Sequence, residues 1–401
     1  MKRILLISLF SVYFSGWIWA QEYKVRPGIT ITKDNHGKYL PELKRLLPDA
    51  VFPHHINGLK KGWITMPIVK PEYPILNLAY IEASKNNKGN FKVGPGNKLI
   101  GKERWKAGAP FPDPITAKEL AWSSWRRIDS TDDCSFPCKF FLYDKNIKLE
   151  RTIKAHIGKK MWVGRLLFPP VPEFPGNNGF IYYKEHIVIL EPFDIRGFCM
   201  LRIGYDALDK SDDTYSYIPA LRRIRRLTGS DVTDPMLGTD CCYDDFEVWK
   251  QKINHKMTFK MEDTEVIVDH RVLNERPEQV FVRNCFQTEW EIRLVWLLEI
   301  NTNDPDYAYS KRLLYISRDS GSFNLPYGEY YDQKGRLFRT SHVHHAFSKH
   351  EGDWYSNVAY GYIWRNHVNE HSSILNQYPI WHDPECTIDR YTIRGLLKIA
   401  R

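Results

Sequence analysis

Alternation of apolar and polar residues dominates the second half of the chain. In WEIRLVWLLEI, residues 290–300, the even positions carry Trp290, Ile292, Leu294, Trp296, Leu298 and Ile300. Arg293 and Glu299 occupy odd positions. Successive side chains of a β strand point to opposite faces, so this pattern predicts a strand with one bulky apolar face. Residues 354–364 repeat it, with Tyr360, Tyr362 and Trp364 sharing a face.

Other segments carry the same period of two. Strands are predicted at 181–190, 197–206, 214–227, 257–270 and 312–319, and a hairpin over 328–340 that folds at 332–335. Short strands at this spacing, joined by Asp, Gly and Asn turns, favour one antiparallel sheet that is large enough to curl. We therefore expect a mainly β (α+β) protein. The inner face of such a sheet either fills with side chains or keeps a cavity for an apolar ligand.

Helical patterns are confined to the first third of the chain. Residues 21–115 are rich in Pro, Gly and Asn and contain one short helical stretch near 35–47. Thr116 and Glu119 then form a capping-box pattern, which predicts a helix carrying Trp122 and Trp125. This change in composition divides the chain into an N-terminal extension, 21–115, packed on a curved-sheet domain, 116–401.

The first twenty residues have the pattern of a secretory signal. Lys2 and Arg3 precede the apolar run ILLISLFSVYF, and Ala20 provides a cleavage site before Gln21. An uncleaved anchor is the alternative, because bulky Trp residues flank the cleavage site. No later stretch approaches the roughly 18 apolar residues that a spanning helix requires. We expect an exported protein that is soluble after cleavage.

Composition and charge exclude few classes of function. The 401 residues are 43% hydrophobic and 26% charged, typical of a globular protein with a real core. The net charge of +9 is mild and is distributed along the chain, so no nucleic-acid partner is expected. Seven cysteines permit up to three disulfides in an oxidising compartment, with CSFPC at 134–138 as the best local candidate. The pairing stays open.

An arginine run directly precedes an aspartate-rich stretch. Arg222, Arg223, Arg225 and Arg226 flank Ile224, and DCCYDDF follows at 240–246. Four guanidinium groups could bind phosphate or carboxylate head groups in bidentate fashion. The alternative is a solvated strand end whose charge is met by Asp231, Asp240, Asp244 and Asp245.

Candidate catalytic patterns are weak. His367 and His371 belong to an H-x-x-E-H sequence, which on a helix would place two imidazoles one turn apart for zinc. Strand-like sequence surrounds it, and few carboxylates remain downstream as a third ligand. No G-x-S-x-G sequence and no papain-like cysteine setting occurs. We therefore expect no enzyme and no cofactor, with His367 and His371 only as weak metal candidates.

Several motifs resemble those of exported proteins related to the lipoprotein carriers LolA and LolB. The arginine–aspartate segment is similar to their signature at the following positions: Tyr215, Tyr217, Pro219, Ala220, Arg222, Arg223, Arg225, Arg226, Ser230, Asp231, Asp234, Pro235, Gly238, Asp240, Tyr243, Asp245 and Phe246. Thr239 and the Cys241–Cys242 pair depart from it. Five further segments resemble motifs of one branch of this group, an uncharacterised family of proteobacterial proteins described as outer-membrane lipoprotein-sorting proteins. These segments are ITKDN, IEASKNN, AGAPFPDP, KRLLYISRDSG and YYDQKGRLFR.

This resemblance implies a LolA-like fold, an open half-barrel with helices covering an apolar cavity. It also implies the periplasm of a Gram-negative bacterium and a functional link to transporters of the resistance-nodulation-division type or to an outer-membrane partner. The expected function is a carrier of a lipid-like or other hydrophobic molecule. The expected concave-face ligand residues are Trp290, Ile292, Leu294, Trp296, Leu298, Tyr360, Tyr362 and Trp364. The expected head-group residues at the rim are Arg222, Arg223, Arg225, Arg226, Asp240 and Asp245. A sensor or scaffold that binds a membrane protein, and a metal-dependent hydrolase, are the alternatives.

Overall fold

The computed structural model describes residues 24–72, 77–127, 132–227, 232–269, 271–273, 281–283, 285–318, 321–349 and 355–399. The predicted signal, 1–20, lies outside these ranges, as do Ser230 and Asp231 of the signature. No helix in the described part is both long and apolar enough to cross a membrane.

Among the described residues, the N-terminal part up to residue 125 contains four of the five α-helices. The elements in order are β1 (Thr30–Ile31), α1 (His36–Leu46), α2 (Phe52–Lys60), β2 (Met66–Pro67), α3 (Leu78–Asn86), β3 (Phe91–Val93), β4 (Leu99–Gly101) and α4 (Ala117–Trp125). The predicted capping box begins α4, because the Thr116 hydroxyl accepts from the Glu119 amide and the Glu119 carboxylate accepts from the Thr116 amide. Helix α1 confirms the expected helical stretch. Helices α2 and α3 were not predicted, since their short apolar runs lack a clear period.

Strands make up most of the remaining chain. They are β5 (Asp133–Tyr143), β6 (Leu149–Met161), β7 (Ile181–Glu191), β8 (Cys199–Tyr205), β9 (Asp213–Ile218), β10 (Arg223–Leu227), β11 (Met257–Val268), β12 (Arg271–Leu273), β13 (Phe281–Val282), β14 (Cys285–Phe286), β15 (Glu291–Thr302), β16 (Lys311–Ser317), β17 (Tyr327–Tyr331), β18 (Leu337–Lys349), β19 (Tyr355–Asn366), β20 (His371–Gln377) and β21 (Ile380–Trp381), followed by helix α5 (Ile393–Ile399).

The main sheet is antiparallel along its whole path and stays open. Its strand order is β10-β9-β8-β7-β6-β5-β20-β19-β18-β17-β16-β15-β11. Off this path, β12 pairs with β18 in parallel, and β21 pairs with β5 in antiparallel orientation. Strands β10 and β11 form the two ends of this path. A mainly β architecture with a large open antiparallel sheet confirms the expected fold class.

The sheet is strongly curved. Asp244 contacts Arg202 on β8, with 3.9 Å between Nη2 and Oδ1, and accepts a 2.7 Å hydrogen bond from Tyr307, which lies just before β16. Strands β8 and β16 are eight steps apart in the sheet order, or roughly 38 Å along a flat sheet at about 4.8 Å per strand. One aspartate can bridge them only if the sheet curls around it. The face that meets Asp244 is therefore the concave one.

Both faces of the sheet are covered. Helix α4 and residues 232–256, here called the cover segment, pack in the concave-face cluster with Leu298, Tyr362 and Leu375. Helices α1 and α2 share a second cluster with Val295, Ile363 and Ile374 on the opposite face. The N-terminal residues thus pack directly on the sheet.

Two local predictions are wrong. The strand expected over 214–227 is broken by a turn at 219–222, where Pro219 opens a short 3-10 turn and Arg222 adopts a left-handed conformation with φ of 49°. The CSFPC sequence, the best local candidate for a disulfide, lies inside β5. Four residue steps along the strand separate Cys134 from Cys138 by roughly 13 Å. A disulfide tolerates about 7 Å at most between Cα atoms, so these two cannot bridge each other.

Candidate functional site

The cover segment is held in the concave face by buried aspartates. Asp245 is fully buried, accepts a 2.5 Å hydrogen bond from the Tyr309 hydroxyl and lies 3.4 Å from Nη1 of Arg339. Arg312, also fully buried, lies 4.0 Å away on the other carboxylate oxygen. Burial raises the pKa of the neighbouring Asp244. Asp244 and Asp245 therefore anchor the cover segment to β8, β16 and β18.

Asp240 anchors the same segment to β20. Its Oδ2 accepts from the Ser373 hydroxyl at 2.8 Å and lies 2.6 Å from Nδ1 of His371. Burial raises the pKa of Asp240. The sequence predicted Asp240 and Asp245 at an exposed rim, but both are buried. They lie enclosed between the cover segment and the sheet.

Aromatic side chains of the cover segment fill the centre of the concave face. Phe246 stacks on Tyr362 and Trp364, with ring centroids 5.9 and 6.2 Å apart, and Tyr362 stacks on Trp364 at 5.0 Å. Trp249 is buried in the same cluster. The expectation of a vacant concave face is therefore wrong at its centre, because the chain supplies its own apolar filling.

The predicted ligand residues do not share one face of the sheet. Trp296, Leu298, Tyr360, Tyr362 and Trp364 belong to the concave-face cluster or pack against it. Trp290 and Ile292 join the opposite cluster, and Leu294 is 54% exposed. Trp290 precedes β15 and bridges to Ile68 of the N-terminal part, so the strand alternation does not extend to it.

The predicted arginine run forms no ion pair with the buried aspartates. Arg222 lies in the turn before β10, and Arg223, Arg225 and Arg226 lie on this edge strand; all four are exposed. Arg226 pairs with Asp213 on β9. The buried aspartates instead use Arg202, Arg312 and Arg339. The interpretation that Asp240, Asp244 and Asp245 neutralise the arginine run is therefore wrong.

The two histidines of the H-x-x-E-H sequence do not converge. His367 lies in the turn after β19, with Nε2 3.0 Å from the Thr340 hydroxyl, whereas His371 begins β20 and faces Asp240 and Glu150. The helix that would align them is replaced by a hairpin in which Glu370 has a φ of 58°. Among the described residues, no group of three or more His, Cys, Asp or Glu could hold a metal ion.

Open space remains where α4 and the loop carrying Trp105 meet the sheet. A cleft of about 270 Å³ is lined by Phe91, Leu99, Trp122 and Leu208, together with charged residues that include Arg104 and Arg126. A second cleft of about 60 Å³ lies between Trp125 and the tyrosines of β7. Trp105 and Arg126 line both clefts, so they form the partition between them. The two clefts together are the candidate site.

Arg126 lies at the centre of this site, inside an aromatic cage. Its Cζ lies 4.1 Å from the ring centre of Trp105, 4.5 Å from that of Tyr182 and 4.8 Å from that of Trp125. Such distances allow favourable cation–π contacts. Arg126 also pairs with Asp206, which Arg104 contacts at 3.2 Å. Burial alone would raise the pKa of Asp206, but the charges and hydrogen bonds of Arg126 and Arg104 together lower it.

The cage leaves hydrogen-bond donors of the two arginines unused. Arg126 is 4% exposed, yet its Nε and Nη1 have no hydrogen-bond partner among the described residues, and the same holds for Nη2 of Arg104. Buried donors without acceptors cost free energy, typically about 1–3 kcal/mol each. An acceptor that enters the clefts would remove this cost. Arg126 is thus prepared for a ligand atom.

Positive charge predominates in the smaller cleft. Arg126, Arg127, Lys159 and Lys250 line it, against Asp132 and Glu247. Although burial opposes ionisation, Lys159 and Lys250 lower the pKa of Glu247. Asp132 is occupied by the backbone amides of 166–168. The smaller cleft therefore combines aromatic walls with more cationic than anionic side chains.

This site was not predicted from the sequence. The only available signal was the end of α4, where the sequence WSSW is followed directly by Arg126 and Arg127. The cage partners come from positions 105, 125 and 182 and meet only through the tertiary fold. Periodicity cannot indicate such a meeting.

Three solved structures resemble this chain at low sequence identity. An outer membrane lipoprotein-sorting protein domain from Vibrio parahaemolyticus is 18% identical with a TM-score of 0.49, covering 70% of this chain and 98% of its own. A DUF1329 family protein from Desulfovibrio piger is 15% identical, with a TM-score of 0.46 and coverage of 67% and 92%. A LolA superfamily protein from Nitrosomonas europaea is 15% identical, with a TM-score of 0.42 and coverage of 70% and 98%.

No curated protein matches the sequence. A family model does: DUF1329, described as a protein of unknown function, matches residues 30–376, from β1 into β20. This match confirms the resemblance carried by the sequence motifs. Because the matched region includes the helices of the N-terminal part, the cover segment and nearly all of the main sheet, the chain belongs to the DUF1329 family.

Proposed function

We propose that the protein is a periplasmic carrier, or an accessory protein of a transporter, that binds an amphiphile bearing an acidic group. The signal-like N-terminus and the open curved sheet with its cover support export and carriage. The unused donors of Arg126 are the observation on which the ligand class depends. A carboxylate or phosphate would accept from them, and the cage would exclude water from the contact.

The apolar part of the ligand is assigned to the larger cleft. Phe91, Leu99, Trp122 and Leu208 supply its apolar walls, and each Å² of apolar surface buried there contributes about 25 cal/mol. The cleft volume of about 270 Å³ is close to the lower limit of roughly 300 Å³ for small-molecule pockets. A long acyl chain would therefore require the cover segment to move, which also provides a route for release.

The carrier role replaces catalysis in this proposal. Glu247 and Asp132 are held by lysines and by backbone amides, so neither is placed as a free acid or base. The partnership with a resistance-nodulation-division transporter or an outer-membrane protein stays a prediction from the family resemblance. So does the alternative role as a sensor that binds a membrane protein.

Native mass spectrometry with added dodecanoate and dodecanol tests the proposal. The two probes share the alkyl chain and differ in charge, so wild-type protein should bind dodecanoate at least tenfold more tightly, the equivalent of about 1.4 kcal/mol for a charge-assisted hydrogen bond. Arg126→Gln should abolish the preference. Leu208→Trp should fill the larger cleft and weaken both probes.

Arg318→Gln is the matched control, because Arg318 is an exposed arginine that pairs with Asp263. It should leave both affinities unchanged. Equal binding of dodecanoate and dodecanol by wild-type protein would refute the acidic-ligand assignment. Binding that persists in Leu208→Trp would refute the location of the apolar part.

A further inference from the structure

Six hairpin turns lie side by side at one end of the main sheet. The pairing registers place the end of β5 beside the starts of β6 and β20, and the end of β9 beside the start of β10. Lys154 on β6 faces Glu191 at the end of β7. The turns at this end are 144–148, 192–198, 219–222, 303–310, 332–336 and 367–370. We call it the hairpin end.

Four neighbouring hairpins at this end each present an exposed apolar side chain. In the order of the sheet they are Leu221, which is 61% exposed, Phe193 at 90%, Leu149 at 46% and Val368 at 65%. A phenylalanine that is nine-tenths exposed gains nothing from the fold. Single exposed apolar residues are ordinary on protein surfaces, but four at successive hairpins form a row that indicates an interaction.

Cations surround this row and most have no partner. Six exposed cationic residues form no ion pair with another described residue: Arg196, Arg222, Arg223, Arg225, Lys145 and Lys148. They include three of the four arginines of the predicted run. Their charge is therefore available to an external anion.

Most acidic residues near these four hairpins are already engaged, whereas Glu370, close to Val368, is exposed and forms no ion pair with another described residue. Asp213 pairs with Arg226, Asp194 with Arg151 at 2.5 Å, Glu191 with Lys154 at 2.8 Å, and Glu150 lies 3.1 Å from Nε2 of His371. Asp144 accepts from the backbone amides of its own turn. The field at the hairpin end is consequently positive.

We propose that the hairpin end docks on a phospholipid bilayer that contains anionic lipid. Apolar tips between cations match the two layers of such a surface: the side chains of Phe193, Leu221, Leu149 and Val368 enter the interface, and the arginines remain among the phosphates. The positive field selects this occupant over an apolar protein surface.

Protection of the sheet edge does not account for the whole pattern. Charged residues on an edge strand such as β10 block pairing with other chains, which would explain Arg223 and Arg225 alone. Phe193, Leu149 and Val368 lie at turns of other strands and would favour aggregation if they had no partner. Docking explains the cations and the apolar tips together.

Docking leaves the candidate site open to water. The larger cleft is lined by Asp206, Leu208 and Asp209 in the turn between β8 and β9, which lies at the opposite end of the sheet. A docked molecule would present this cleft away from the bilayer. The proposal is therefore independent of the ligand assigned to Arg126.

Co-sedimentation with vesicles tests the docking. The purified protein is mixed with vesicles of phosphatidylethanolamine and phosphatidylglycerol, and separately with vesicles of phosphatidylcholine alone. Wild-type protein should bind the anionic vesicles, and added salt should weaken the binding. Arg223→Glu combined with Arg225→Glu should weaken it by roughly 25-fold or more, at about fivefold per basic residue lost. Phe193→Ser should weaken it by about tenfold.

Matched controls are available away from this end. Lys92→Glu combined with Lys118→Glu makes the same change in net charge at exposed sites, and Ile115→Ser removes a side chain that is 79% exposed. Both should bind like wild type. The proposal is overturned if wild-type protein ignores anionic vesicles or if the controls weaken binding equally. It is also overturned if the arginine variant loses binding while Phe193→Ser does not, because the apolar side chains would then not enter the bilayer interface.

Discussion

Removal of the Asp245 carboxylate should destabilise the protein more than any surface substitution. Asp245 is fully buried among Tyr309, Arg312 and Arg339, and both arginines are buried with it. Asp245→Ala would leave two guanidinium groups facing a cavity that no longer carries negative charge. Breaking a buried ion pair from one side typically costs about 3–5 kcal/mol. Since folded proteins are stable by about 5–15 kcal/mol, that is a large fraction of the total.

Denaturation by guanidinium chloride, followed by tryptophan fluorescence, measures this effect. Trp364 donates to the Asp245 carbonyl at 3.3 Å and reports on the same region. Asp245→Asn should fall between wild type and Asp245→Ala, because the amide can still accept from the Tyr309 hydroxyl but cannot offset the charge of the arginines.

Asp263→Ala provides the control for Asp245→Ala. Asp263 pairs with Arg318 at 2.6 Å, but the two side chains are 62% and 42% exposed, so the loss should stay within about 1 kcal/mol. If Asp245→Ala destabilised the protein no more than Asp263→Ala does, the cover segment would not be anchored as described.

Two further predictions concern the cover segment and pH. Phe246→Ala removes the ring that stacks on Tyr362 and Trp364, so it should lower the free energy of unfolding, measured with denaturant, by about 3–5 kcal/mol. It should also increase the binding of a fluorescent apolar dye. An unchanged unfolding midpoint would contradict the packing. Burial lowers the pKa values of His55, His186 and His345 to about 3, from an ordinary value of about 6.5. The unfolded chain therefore takes up protons below pH 6.5 that the folded chain does not. The contribution of these histidines to the free energy of unfolding should be largest above pH 6.5 and decrease as the pH drops towards 3. Burial raises the pKa of Glu291 to about 7 and also raises the pKa values of Asp240 and Asp244, so these carboxyl groups oppose the trend. We expect the histidines to dominate, and a protein more stable at pH 5 than at pH 7 would refute the account.

The sequence predicted the sheet well because its signal is local. Alternation in residues 290–300 and 354–364 predicts which side chains share a face. In β19, Tyr360, Tyr362 and Trp364 share the concave face as predicted, whereas in β15 the buried positions are odd up to Val295 and even from Leu298. Alternation does not tell what covers each face. Val295 is buried on the face opposite Leu298 because the N-terminal part packs there, and Leu294 stays exposed although it shares the parity of Trp296.

The buried aspartates illustrate why the site was harder to predict. Asp240, Asp244 and Asp245 stand close to four arginines in sequence, and proximity suggested pairing. In the fold the aspartates enter the concave face, whereas the arginine run follows an exposed edge strand. Arg312 and Arg339 belong to the quoted motifs KRLLYISRDSG and YYDQKGRLFR, but nothing in those motifs indicates a buried aspartate as their partner. They lie 67 and 94 residues beyond Asp245. Partners at such separations are set by the curvature of the whole sheet.

Native mass spectrometry of wild-type protein, purified from its own host without detergent, tests the central claim most directly. We expect a bound amphiphile with an acidic group on wild-type protein, and an empty protein when Arg126 is replaced by Gln. A wild-type protein that is always empty, or a ligand retained unchanged in Arg126→Gln, would contradict the assignment of the clefts around Arg126 as a carrier site.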